Sequence, residues 1–112
     1  MSILNDLEVA FASPAFRQQA GEIIGNECLT LFQQGLADHD AFIRDTCEML
    51  AEALRDKARG ELEAEDINAM LIGMQAQLAI QMTNAQIAVR SRMQTIVERL
   101  LSLSLSVLVT AL

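Results

Sequence analysis

The sequence predicts an all-α protein: a small helical bundle head over residues 1–60, then a long C-terminal helix over residues 61–112, either continuous or broken. The chain has 112 residues and one proline, Pro14, so no later residue forbids a helix. Its 52% apolar content comes mainly from Leu, Ile, Met and Ala, which are mostly good helix formers. In the C-terminal half, apolar residues recur every three or four positions. A chain of this length is expected to form one domain, residues 1–112.

Two helices are predicted before residue 35. Ser2 can cap a first helix, "ILNDLEVAFA", and Ser13 with Pro14 at the first helical position begins a second one that runs to about Gln34. Its expected apolar face consists of Phe16, Ala20, Ile23, Ile24, Cys28, Leu31 and Phe32. Gly21 and Gly25 lie inside this helix and each costs about 1 kcal/mol relative to alanine. Either another helix packs very close to them or the helix is weak there.

A third helix is predicted over about 39–59. Gly35 is expected to end the preceding helix, Asp38 to cap the third, and Gly60 to end it. The predicted buried side contains Ile43, Cys47, Leu50, Leu54 and Ala58. The opposite side is acidic and is expected to face solvent.

The C-terminal segment keeps a helical period throughout its length. From Ile67 to Ala111 the apolar seam has an average step of about 3.67 residues, close to an eleven-residue repeat, which predicts a nearly straight seam. A continuous helix over residues 61–112 would be about 78 Å long, whereas a compact domain of this size has a radius of gyration of about 13 Å. Gly73, Thr83–Asn84 and Ser91 are the candidate breaks. The segment is therefore expected either to self-associate as a long helix, as in a coiled coil, or to break and pack in an oligomeric helical bundle.

The last thirteen residues, "LLSLSLSVLVTAL", carry no charge. Thirteen residues are too few to span a membrane, and an extension backward meets Arg99 and Glu98. The alternation in "LSLSLSV" is typical of a strand, but the helical period continues through it, and the serines can donate to helical carbonyls. A helix buried in protein is the favoured interpretation. A membrane segment and a strand are the alternatives.

Composition and motifs exclude several function classes. The net charge is −7, which argues against a nucleic-acid partner because phosphate contacts need a cationic surface. His39 lies between Asp38 and Asp40, but adjacent helical residues point apart, so a solvent-exposed cap turn is expected rather than a metal site. Cys28 and Cys47 are expected to be buried free thiols in a reducing cytoplasm, although a disulfide between them stays open. No catalytic, cofactor or metal residues are predicted.

The sequence thus favours a small, acidic, cytoplasmic, non-enzymatic protein-interaction protein: an adaptor, inhibitor or assembly factor of the kind common among phage and other accessory genes. It is expected to form a homo-oligomer through its C-terminal helix and to bind another protein through the acidic third helix or an exposed part of the seam. The alternative is a membrane-active helical hairpin formed by residues 67–89 and 93–112. The predicted oligomer interface consists of Leu78, Met82, Val89, Met93, Ile96, Leu100, Leu103 and Val107.

Overall fold

Six helices account for most of the computed structural model, which describes residues 2–112. They are α1 (Ile3–Phe11), α2 (Pro14–Gln19), α3 (Glu22–Leu36), α4 (Ala41–Ala58), α5 (Ala64–Asn84) and α6 (Ile87–Ala111). No strand occurs among residues 2–112, so the predicted all-α class is confirmed. The "LSLSLSV" stretch lies within α6, which shows that the strand interpretation of the tail is wrong.

The N-terminal part contains one more helix than the sequence predicted. Ser2 and Ser13 cap α1 and α2 as expected, with their hydroxyl oxygens accepting from the backbone N–H of Asn5 and Phe16. The predicted second helix is divided at Gly21, whose φ of +88° only glycine adopts without strain. Ile23 lies in the first turn of α3, on a side of the helix away from the buried Cys28, so this residue of the predicted apolar face is 83% exposed.

Gly21 and Gly25 have different structural roles. Gly21 breaks the chain direction, whereas Gly25 stays inside α3 and is buried. A Cβ added at Gly25 would lie 3.3 Å from a ring carbon of Phe16. The close approach predicted for this pair of glycines therefore exists at Gly25. It involves the Phe16 ring of α2 and, at 3.7 Å, the Cβ of Phe11 in α1, the helix that packs on α3.

The connection between α3 and α4 differs from the predicted one by a few residues. The N-cap of α4 is Asp40, whose carboxylate accepts from the backbone N–H of Ile43, and Asp38 is instead bound to other groups. Gly35 does not end α3 but is its penultimate residue. The side chain of Cys47 occupies the space where a Cβ would project, so close packing and not helix termination requires glycine here. Gly60, with a φ of +77°, lies just beyond the end of α4 as predicted.

The C-terminal segment is broken once, after Asn84. The backbone is extended at Ala85 and Gln86, and α6 then returns along the other helices. Thr83 and Asn84 each bond a side-chain donor to the carbonyl four residues earlier, at 2.9 Å and 3.3 Å, which competes with continuation of the helix. Of the candidate breaks, Thr83–Asn84 is adjacent to the observed one, and the helix continues through Gly73 and Ser91.

The returning helix α6 forms the centre of the fold. It packs against α3, α4 and α5, and its last turn contacts α2 and α5. Two wide π-helical turns, Met93–Glu98 and Ser104–Leu108, interrupt its α-helical geometry. Ser104 is fully buried, and its hydroxyl donates to the carbonyl of Leu100 at 2.7 Å, so the one buried serine of the tail is satisfied inside the helix.

Candidate interaction surface

The residues predicted as the oligomer interface lie in or against the core of the single chain. Five of them are buried there: Leu78, Met93, Ile96, Leu100 and Leu103. The other three, Met82, Val89 and Val107, are half-buried and pack against the same cluster. The apolar surface that the sequence assigned to subunit contact is therefore covered within one chain. Self-association of the chain stays a prediction, and the five buried side chains are not accessible to a second copy in this fold.

Two bidentate ion pairs attach the central helix to the head. The guanidinium of Arg92 donates to both oxygens of Asp38, at 2.9 Å and 3.2 Å, and that of Arg99 donates to both oxygens of Glu27, at 2.8 Å and 3.1 Å. The hydrogen bonds from Arg92 lower the pKa of the Asp38 carboxyl, whose partial burial acts in the opposite direction. Both pairs are intramolecular, so they fix the register of α6 rather than recruit a partner.

The remaining arginine of this region acts at a helix end. Arg90 donates to the carbonyls of Met82 and Ala85 at 2.9 Å and 3.0 Å, where α5 has no further backbone donors. It thereby caps α5 from the next helix and stabilises the break between them.

The histidine and the two cysteines of the described residues lie apart from any metal-binding cluster. His39 is exposed, and within residues 2–112 no group of three or more His, Cys, Asp or Glu side chains could hold a metal ion. Cys28 and Cys47 are free and buried. Burial raises the pKa of each thiol to about 12, which leaves very little thiolate at neutral pH.

An apolar groove separates α4 from α5 on the surface. Its walls carry Phe42 and Met49 from α4 and Met70 and Met74 from α5, and it encloses about 470 Å³. Met49 is 53% exposed, and Gly73 lies at the edge of the groove with no atom within 4 Å of the position a Cβ would take, its own helix and chain neighbours apart. We call this feature the Met groove.

Little in the sequence indicates the Met groove. Met74 is buried, but Met49 and Met70 are on different helices, and nothing in the sequence shows that they meet. The signal that could have revealed it is the pairing of two amphipathic helices with methionine at their edges and a glycine between Met70 and Met74. A glycine in mid-helix with nothing packed against it leaves the groove open.

On its α4 side, the rim of the Met groove includes one acidic lining residue, Asp45. Its side chain is 64% exposed and pairs with Arg44 of the same helix at 3.6 Å. Glu48 and Glu52 lie on the same helix and are exposed, and the segment 36–66 carries ten acids and four bases in all. The α5 side of the rim contributes the uncharged Gln77.

A second exposed apolar surface lies on the outer side of α5. This helix buries a narrow stripe of Ile67, Leu71, Met74 and Leu78. The opposite side bears Ala69, Ile72, Ala76, Ile80 and Thr83, and Ile72 and Ile80 are 64% and 55% exposed. No charged residue occurs from Ile67 to Val89. We call this surface the outer face of α5.

Comparisons with models of protein families, with curated proteins and with solved structures give no match for this chain. One helix among residues 2–112, Ile87–Ala111, is long and apolar enough to cross a membrane by length and composition alone. Half of its most apolar window is buried inside the protein, as in the core helix of a soluble domain, so the finding is weak evidence for a membrane role.

Proposed function

We propose that this chain is a small, acidic, non-enzymatic interaction protein that acts as an adaptor, inhibitor or assembly factor by holding an amphipathic helix of another protein in the Met groove. The observation that carries this proposal is the open groove itself. Phe42, Met49 and Met70 remain exposed or half-buried on a domain that otherwise has a continuous core of its own.

The chemistry of the groove suits a helical partner. Met side chains are unbranched and polarisable, so Met49 and Met70 can adjust to differently shaped apolar residues. Recognition of a helix in a groove uses apolar anchors spaced three or four residues apart. The groove runs between two packed helices, and its volume of about 470 Å³ falls in the range of sites that enclose apolar groups.

The negative charge of the domain favours a positively charged partner. The chain has a net charge of −7, and Asp45, Glu48 and Glu52 lie along the α4 side. Such a rim attracts lysine and arginine on the flanks of an incoming helix and disfavours acidic ones. The expected partner is therefore a basic amphipathic helix of another protein, and nucleic acid is disfavoured by the same charge.

The proposal is tested by titrating the protein with a synthetic helix that has leucines on one face and lysines on the other. The readout is the NMR signal of the methionine methyl groups, because the chain contains its own controls. Signals of Met49, Met70 and Met74 should shift on binding, while that of the buried Met93 on α6 should not. A peptide of the same composition with scattered leucines should leave all of these signals in place.

A blocking variant locates the binding. Gly73→Leu projects a branched side chain into the open groove and should weaken binding by about tenfold, equivalent to about 1.4 kcal/mol. Ala15→Leu adds similar apolar bulk at an exposed position on α2 and should leave affinity unchanged. Equal binding of both peptides, equal shifts at all methionines, or full affinity of Gly73→Leu would each contradict the proposal.

A membrane-active hairpin formed by residues 67–89 and 93–112 is the second candidate, favoured by the length and apolar content of Ile87–Ala111. It requires α6 to leave the core, and therefore to expose the cluster that contains Leu100 and Leu108. Co-sedimentation with anionic and neutral vesicles, without detergent, separates the two candidates. A protein that remains in the supernatant in both cases supports the interaction role, and one that pellets with vesicles supports the hairpin.

A further inference from the structure

The outer face of α5 has a composition that a solvated helix surface rarely has. Exposed helix faces normally carry charge, as α4 does with Arg44, Asp45 and Glu48. On α5 the exposed side from residue 67 to 84 contains only apolar, small and amide or hydroxyl side chains. Depletion of charged residues around exposed large apolar ones is the compositional signature of the centre of a protein–protein interface.

The spacing of this face is symmetric about Ala76. Ile72 and Ile80 lie four residues before and after it, and Ala69 and Thr83 lie seven residues before and after it. In an antiparallel pair of identical helices with a two-fold axis at Ala76, each Ile72 would therefore lie opposite the Ile80 of the other copy. An isologous contact requires this kind of self-complementary surface.

The charges at the two ends of α5 favour the same arrangement. The N-terminal end follows "ELEAED", which places Glu61, Glu63, Glu65 and Asp66 there. The C-terminal end is capped by the cationic Arg90. Antiparallel pairing places the acidic end of each copy next to the Arg90 end of the other copy. It also gives the two helix dipoles a favourable antiparallel alignment, whereas parallel pairing would place like charges side by side.

We propose that two copies of this chain associate through the outer face of α5, antiparallel, with the two-fold axis at Ala76. The Met groove faces a different direction on α5, because Met70 and Met74 are not on this face. The inference therefore goes beyond the proposed function, and pairing leaves the groove open. The contact also differs from the oligomer interface predicted from the sequence, whose residues are buried in the core or packed against it.

The small area of the proposed contact predicts a weak dimer in solution. A 21-residue helix is about 30 Å long, so α5 alone offers less than the roughly 800 Å² per partner of a standard interface. The dimer should therefore be reversible, and its average mass should rise from 12.3 kDa toward twice that value as concentration increases. Sedimentation equilibrium of the full chain over roughly a hundredfold range of concentration measures this rise.

The test compares two double variants that add the same charge. Ile72→Glu with Ile80→Glu puts carboxylates on the outer face, and the protein should stay at 12.3 kDa at every concentration. Val9→Glu with Ile23→Glu makes the same change at exposed positions on α1 and α3, which are 75% and 83% exposed, and should dimerise like the parent. All four residues are exposed, so circular dichroism should show unchanged folding in both.

A cross-link fixes the register. Ala76→Cys places one thiol of each copy at the axis, and mild oxidation should give a covalent dimer, while Gln77→Cys, the next residue, turned toward the groove, should not. The native Cys28 and Cys47 are buried and do not compete. A parent chain that is monomeric throughout, a dimer that survives Ile72→Glu with Ile80→Glu, or cross-linking through Gln77→Cys alone would overturn the proposal. Loss of dimerisation with intact peptide binding would leave the Met-groove function standing, since the two surfaces are distinct.

Discussion

Substitution by alanine is expected to destabilise the protein at Gly35 and to stabilise it at Gly73. Gly73 lies in the middle of α5, where alanine is worth up to about 1 kcal/mol more than glycine, whereas Gly35 is the penultimate residue of α3, where this gain is smaller. At Gly73 nothing outside its own helix and its chain neighbours lies within 4 Å of the added Cβ, so Gly73→Ala should raise the free energy of unfolding by about 0.5–1 kcal/mol. The corresponding rise in Tm is roughly 2–4 °C.

At Gly35 the added methyl group has no room. It would overlap the Sγ of Cys47 and lie 3.1 Å from both the Cβ of Cys47 and the Cγ2 of Ile96. Overpacking of a core costs about 1–3 kcal/mol, and contact with three atoms from two elements places this site at the upper end. After the gain in helix propensity is subtracted, Gly35→Ala should lower the free energy of unfolding by about 2 kcal/mol.

Urea denaturation of the parent and the two variants measures both effects. Cys47→Ala provides the second side of a double-mutant cycle, because it removes the overlapping sulfur. In the parent, Cys47→Ala should lower the free energy of unfolding because it leaves a cavity. In the Gly35→Ala background it should lower the free energy of unfolding by less, or raise it. Gly35→Ala at parental stability or above, or no coupling to Cys47, would refute the close crossing of α3, α4 and α6.

Three further perturbations address the core, the thiols and the ion pair. Leu100→Ala, at a fully buried position of the tail, should lower the free energy of unfolding by about 3 kcal/mol in urea titrations, and a loss below 1 kcal/mol would place this residue outside the core. Iodoacetamide at pH 8 should label neither Cys28 nor Cys47 in the native protein and both in denaturant, because burial raises the pKa of each thiol to about 12; rapid native labelling would contradict their burial. The pKa of Asp38 is lowered in the folded state, so its pairing with Arg92 stabilises the protein above the unfolded pKa of about 3.9 and is lost as pH falls through the folded value. Asp38→Asn should therefore reduce the loss of stability between pH 5 and pH 2, and an identical pH profile in that variant would exclude this contribution.

The general architecture was predictable because it depends on local signals. The serine caps at Ser2 and Ser13, the glycine after α4 and the sustained helical period toward Ala111 are each read from a few neighbouring residues. The favoured helical interpretation of "LSLSLSV" is confirmed for the same reason, since Ser104 and Ser106 donate to carbonyls of their own helix as expected.

The incorrect sequence predictions concern the tertiary contacts that each helix makes. The sequence places Gly21 and Gly25 in one helix, and only the docking of Phe16 on Gly25 shows that the chain turns at Gly21. Likewise, Asp38 could be predicted as a cap, but its bond to Arg92, 54 residues away, leaves Asp40 to cap α4. Long-range pairs of this kind leave no periodic signal in a single sequence.

The same limit affects the candidate surface. The two uncharged, apolar stretches of the C-terminal segment, residues 67–89 and 100–112, indicated burial, but not which part of the chain or which other subunit covers them. The break after Asn84 decides this, because it lets α6 fold back and cover its own seam. What remains exposed, the Met groove and the outer face of α5, depends on which helices are neighbours and so could not be predicted.

The central claim is that the apolar tail is the core of a single chain, which leaves α4 and α5 to make contacts with other molecules. Hydrogen exchange of the backbone amides in residues 100–109, followed at several protein concentrations, tests it most directly. If the tail is the core of its own chain, these amides should exchange among the slowest in the protein, and their exchange rates should be the same at every concentration, because Leu100, Leu103 and Leu108 are covered by their own chain. Fast exchange at low concentration that slows as concentration rises would show that another copy covers the tail, and would contradict the account.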